Sequence, residues 1–159
     1  QLRRVCFRFP ILTEQGYITI GEKPKSPQSR GGGSEHNIFQ CLISSHFEKC
    51  LANLAKVERE MKVGDKFIDI GIKTTDLVIA IEVAISSANE QNNIIKDFAA
   101  GVDFLIIVCQ NKSVIDEVNK IIVNDNNCSQ YRDKITVCDL DQILTCNDPR
   151  NLFSNNTTV

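Results

Sequence analysis

From Ile38 onward the apolar residues fall first at helical spacing and then at strand spacing, and this change of period organises the chain. Ile38, Phe39, Leu42, Ile43, Phe47, Leu51 and Leu54 recur on one helical stripe, which predicts an amphipathic helix over roughly 35–53. Ser34 is placed as its N-cap, with Asn37 in the first turn. After it the period drops to two. Strands are expected over 56–61, 66–72 and 77–85, with turns at Lys62-Val63-Gly64-Asp65 and Lys73-Thr74-Thr75-Asp76. Turns this short join antiparallel neighbours, because parallel pairs need long crossovers.

A polar stretch at 86–89 then opens a helix to about Ala100, closed by Gly101 at C′. Residues 104–109 are almost wholly apolar, the mark of a strand covered on both faces. A helix over 112–123, a strand over 135–138 and a helical turn near 140–144 follow. This order of elements predicts an α/β domain with an αβββαβ core, in which helices flank a mixed central sheet. A doubly wound nucleotide-binding domain is excluded, because three successive hairpin-linked strands break a βαβ alternation.

Outside that domain, residues 1–33 read as two strand-like pieces, at 5–9 and 17–20, followed by a Pro-, Ser- and Gly-rich linker from Glu22 to Gly33. The linker is not a phosphate-binding loop, since Gly33 is followed by Ser-Glu-His rather than Lys-Ser/Thr. The domain is expected over 34–150, with a polar tail over 151–159. The chain opens Gln-Leu-Arg-Arg rather than with Met, so a piece of a longer protein is expected.

Composition narrows the classes. With 159 residues, 42% apolar and 24% charged, the chain is long enough for one sizeable core. No apolar run approaches a membrane span and no signal-like start is visible, so the expectation is a cytoplasmic protein without a membrane partner. Seven cysteines, an odd number with no CxxC spacing, point to free structural thiols rather than to a zinc site or a disulfide framework. A net charge of −2 and a pI near 5.7 are unlike those of proteins that grip duplex nucleic acid by charge alone. Any contact with nucleic acid is therefore expected to be local or supplied by the remainder of a longer chain.

The candidate chemistry lies in Lys66-Phe67-Ile68-Asp69-Ile70-Gly71-Ile72 and in 77–85. Alternation puts Ile68, Ile70 and Ile72 on one face of their strand and Asp69 on the other. With a tight turn at Thr74-Thr75, Asp69 faces Ala80 and Glu82 is its diagonal neighbour, within reach of a shared ion. Gly71, Ala80 and Ala84 would leave room for a ligand. Two carboxylates inside apolar strands are costly unless paired or metal-bound, and hard oxygen donors suit Mg²⁺ or Mn²⁺. The alternative is a solvated sheet face with ordinary outward acids.

The order of elements around Asp69 and Glu82 resembles the core of the PD-(D/E)XK nuclease superfamily, a restriction-endonuclease-like fold, over about residues 34–110. The resemblance implies metal binding by Asp69 and by Glu82 of Glu82-Val83-Ala84. Ile68 stands where the family has proline, and Ala84 stands where it has the lysine. Asn93-Ile94-Ile95-Lys96 is similar to a variant branch that carries the lysine on the following helix, so Lys96 is the implied replacement and Asn93 its neighbour one turn away. The first helix, with Glu35, His36 and Gln40, is similar to that branch as well and could line the cleft. Glu58 or Glu60 is the implied further carboxylate.

What this implies is a Mg²⁺- or Mn²⁺-dependent nuclease hydrolysing phosphodiester bonds, with DNA favoured over RNA as partner and a homodimer left open. Lys23, Lys25, Arg30, Lys62, Lys66 and Lys73 are the cations that could approach phosphates. The alternative from another class is a catalytically silent module of the same fold that binds nucleic acid or a protein, to which the absent motif lysine and the acidic pI both point. His46 is assigned to packing or surface.

Overall fold

The computed structural model describes residues 33–153, all of them within one compact unit. Expectations for residues 1–32 and 154–159 lie outside the described residues. The elements are helix α1 (Ser34–Leu51), strands β1 (Lys56–Val63), β2 (Lys66–Lys73) and β3 (Val78–Ala84), helix α2 (Glu90–Ala100) and strand β4 (Phe104–Cys109). Helix α3 (Lys112–Asn124), the single turn α4 (Asn126–Ser129), strand β5 (Ile135–Asp139) and helix α5 (Leu140–Thr145) follow, with short 3₁₀ turns at Arg132–Lys134 and Pro149–Leu152. The five strands lie in sequence order in one sheet. β1, β2 and β3 are antiparallel, and β3, β4 and β5 are parallel. The protein is thus α/β with a mixed five-stranded sheet flanked by helices. Among the described residues no helix is long and apolar enough to cross a membrane.

Helices cover the sheet on both sides. On one face Ile43, Phe47 and Leu51 of α1 and Ile143 of α5 pack on Ile70, Ile81 and their neighbours. On the other, Ile94 of α2, Val118 and Ile122 of α3 and Cys128 of α4 pack on Leu105 and Ile107. β4 therefore alternates between two cores, which is why its sequence is apolar throughout. Helix ends follow local chemistry. Asn111 caps α3 by accepting from the Val114 N–H, Asp139 and Gln142 form a capping box on α5, and Gly101 closes α2 with φ of 101°. α1 departs from its expected start, because Gly33 rather than Ser34 is its N-cap. α2 begins at Glu90, four residues later than the polar stretch suggested.

Two findings correct the expected sheet. The β2–β3 connection is a four-residue turn, not a two-residue one. Thr74 Oγ1 accepts from the N–H groups of Asp76 and Leu77, and Lys73 pairs with Val78. This moves the register by two residues, so Gly71 faces Ala80, Ile70 faces Ile81, and one position beyond that last pair Asp69 comes level with Glu82. The second correction concerns the faces. Ile70 and Ile72 belong to the α1-side core, but Ile68 packs on the α2 side with Met61, its partner across β1. Alternation is lost at Glu60, whose φ of 50° is left-handed, a conformation that costs a non-glycine residue roughly 1 kcal/mol.

This inversion carries Met61 over Gly71. A Cβ built on Gly71 would lie 1.9 Å from Met61 Cε and 2.9 Å from Met61 Cβ. With Ala80 and Ala84 fully buried as well, the room expected for a ligand beside these small residues is filled by core. Gly71→Ala is expected to cost about 1–3 kcal/mol by overpacking, read as a lower urea midpoint. Combined with Met61→Ala it should cost less than the sum of the two single losses, because the two sites share one contact.

Candidate functional site

Asp69 sits where the β2–β3 ladder stops. Paired residues end at Ile70 and Ile81, and beyond them side chains replace backbone bonds. The Asp69 N–H donates to Glu82 Oε1 at 3.2 Å, and the Val83 N–H donates to Asp69 Oδ2 at 2.8 Å. Each carboxylate thus takes a backbone proton of the opposite strand. On the other side, Glu60 and Asp69 fall between the pairs Arg59–Ile70 and Met61–Ile68. Three neighbouring strands therefore present Glu60, Asp69 and Glu82 at one level.

The N-terminal half of α1 holds this group from one side. Gln40, fully buried, donates from Nε2 to Asp69 Oδ1 at 2.9 Å and to Glu60 Oε1 at 3.1 Å, while its Oε1 accepts from Arg59 at 3.4 Å. Both amide protons and the amide oxygen are engaged, so Gln40 has one orientation. His36 Nε2 lies 2.9 Å from Asp69 Oδ2. That hydrogen bond raises the His36 pKa above its ordinary value, against the opposing effect of burial. The histidine stands four residues before Gln40, which places both on one helix face.

From the other side α2 adds two buried acids that the sequence analysis did not single out. Glu90 and Asp97 are 5% and 1% exposed. Burial pushes the Glu90 carboxyl up to about 7, with Asp69 and Asp97 adding to the effect. Burial likewise raises Asp97 to about 6, although Lys66, 3.4 Å from its Oδ1, opposes the shift. Glu82 is raised well above the usual carboxylate range by burial first and by Asp69, Asp97 and Glu90 after it. Glu90 Oε2, Asp97 Oδ2 and His36 Nδ1 are buried without a hydrogen-bond partner among the described residues. The signal that could have found Glu90 and Asp97 is their spacing. With Ile94 they form the buried stripe of α2, two acids on an otherwise apolar face.

Other expected residues lie apart from this cluster or at its edge. Glu58 pairs with Lys56. Glu35 accepts from Gln110 Nε2 at 2.7 Å, bridging α1 to the end of β4. Asn93 donates to Glu90 Oε1 at 3.5 Å and so touches the group from its edge. Lys96 is exposed, and its charge acts on Asp97. Lys66 is the lysine that makes a direct bond to one of the clustered acids.

No protein-family model matches the chain, and no curated protein matches it. The chemistry of the site has to be read from its own donors. Among the described residues no three His, Cys, Asp or Glu side chains group closely enough to hold one ion by themselves. The two opposed carboxylates fit an ion that keeps most of its water, as Mg²⁺ does, better than a caged one such as Zn²⁺. The Glu90 and Asp97 oxygens that lack a hydrogen-bond partner among the described residues add carboxyl groups to a dry place.

Proposed function

We propose that the protein is a metal-dependent nuclease of PD-(D/E)XK type, hydrolysing phosphodiester bonds of DNA. The observation that carries this reading is the opposition of Asp69 and Glu82 across the interrupted β2–β3 ladder, within a cluster of desolvated acids. Asp69 and Glu82 would hold Mg²⁺ or Mn²⁺. Such an ion, when bound, supplies Lewis-acid stabilisation of phosphate charge and lowers the pKa of a coordinated water.

The surrounding residues act on the two acids. Gln40 and the Val83 N–H hold the Asp69 carboxylate in one orientation, and His36 holds its second oxygen. Orienting contacts of this kind are worth roughly 10–100-fold in metal affinity. Glu60 is tied to Asp69 through Gln40 and is the further carboxylate of the site. Lys96 on the open surface of α2 and Lys66 beside Asp97 are candidates to meet a phosphate, and Lys66 is the better fixed of them.

The test is cleavage of plasmid and linear DNA with Mn²⁺ by the wild-type chain, Asp69→Ala and Glu82→Ala. Cleavage by the wild type alone is expected. Equal cleavage by all three would place the activity elsewhere. One observation favours a second reading, a silent module of the same fold that binds nucleic acid or protein. Ala84, at the position of the motif lysine, is 1% exposed, so no lysine could stand there without repacking the core. A wild-type chain that binds DNA yet leaves it intact with either ion would decide for that module.

A further inference from the structure

Two residues before Asp69, strand β2 shows an aromatic ring to solvent. Phe67 is 43% exposed, and among the described residues no other aromatic side chain is exposed. Lys62, also exposed, is its direct partner across β1, which puts their Cβ atoms about 5 Å apart.

Alternation sets the side on which this pair stands. Met61 and Ile68, the next pair along the ladder, belong to the α2-side core, so Lys62 and Phe67 point to the α1 side. That is also the side from which His36 and Gln40 reach Asp69. Phe67 and Asp69 are about 7 Å apart along their strand, the scale of one nucleotide. The hairpin that carries the ring is held in place. Val63 pairs with Lys66 to close it, and Lys66 bonds Asp97 of α2. Gly64 at the tip sits on Ala100, whose carbonyl oxygen would lie 3.5 Å from a Cβ built there.

An exposed ring beside a lysine offers a base a π-face and its phosphate a cation. We propose that Phe67 and Lys62 form a single-strand binding site, in which the ring stacks a base of the DNA strand to be cut and Lys62 meets the adjoining phosphate. The choice of DNA as ligand rests on the nuclease reading. The preference for a single strand rests on the ring. Inside a duplex both faces of a base are covered by its neighbours, so only a single strand, a flap or a frayed end can present one. Charge points the same way. A chain of net charge −2 gains little from phosphates alone, whereas stacking draws on the face of the base rather than on net charge.

The chain contains no tryptophan, so Phe67→Trp introduces a single fluorescent reporter. The test compares binding of a labelled oligothymidine strand and of a duplex of equal length by anisotropy, with a chelator present so that nothing is cut. The wild type is expected to bind the single strand more tightly. Phe67→Ala and Phe67→Leu should each weaken that binding roughly tenfold. Leucine keeps the apolar bulk without the π-face, so a ring that merely packs would lose nothing by that change. Phe67→Trp should bind as well as the wild type, with its fluorescence quenched by the strand. Lys62→Gln should reduce the slope of log affinity against log salt by about 0.7. Undiminished binding by Phe67→Leu, an unquenched tryptophan or an equal grip on the duplex overturns the proposal. Quenching by a chain that leaves DNA intact in Mn²⁺ would support the strand site and remove the nuclease reading. Cleavage of single strands that needs Asp69 but is untouched by Phe67→Leu would do the reverse.

Discussion

At pH 8, with a chelator present, Glu90→Gln is expected to stabilise the domain by about 2 kcal/mol, and at pH 4 to change its stability little. The folded state holds the Glu90 carboxyl at about 7, against an ordinary value of 4.5. A carboxyl with a raised pKa binds its proton more tightly in the folded chain than in the unfolded one. Below about pH 4 it is protonated in both states and its contribution is fully present. As pH rises toward 7 the unfolded chain releases the proton while the folded chain keeps it, so stability falls. Above 7 the buried group is charged and the full cost applies, about 3 kcal/mol for a displacement of this size. Glutamine cannot ionise and keeps an acceptor for Asn93 Nδ2. Urea unfolding of both proteins at the two pH values measures the difference. An identical difference at pH 4 and pH 8 would mean that the carboxyl is not desolvated in solution.

A larger loss is expected at Asp69. Calorimetry with Mn²⁺ should show binding to Asp69→Asn weakened by more than about a hundredfold, beyond the effect of removing an orienting residue. The amide also fits the protein poorly. Three donors converge on the Asp69 carboxylate, from the Val83 N–H, Gln40 Nε2 and His36 Nε2. Asparagine offers one oxygen and one NH₂ group, so at least one donor would meet another donor. Leaving such a buried group unsatisfied costs about 1–3 kcal/mol. The variant should therefore lose ion binding and some stability together. The loss of a negative charge should also lower the pKa of Glu82, which Asp69 helps to raise. Unchanged affinity for Mn²⁺ would exclude Asp69 as a ligand.

The two variants answer different questions. Glu90→Gln tests whether the acid cluster is dry, and it succeeds or fails without any ion or substrate. Asp69→Asn tests whether the opposed carboxylates hold a cation. A dry cluster that binds no divalent ion would leave the architecture intact and favour the silent module.

Much of this architecture was written in local patterns that a chain cannot evade. A helical stripe on α1, three period-two strands with short turns and an apolar β4 fix which elements form and which pairs are antiparallel, because each depends on neighbours within a few residues. The same patterns put Asp69 and Glu82 on adjoining strands. What they could not supply was decided by contacts between distant segments. A four-residue turn, held by Thr74, set the register that brings Asp69 level with Glu82. The left-handed backbone at Glu60 turned Met61 and Ile68 to the other face and filled the space over Gly71. Packing of α2 against the sheet buried Glu90 and Asp97 beside the pair. Register, face and burial are properties of several elements fitted together, so only the folded chain determined how the acids of this protein share one dry site.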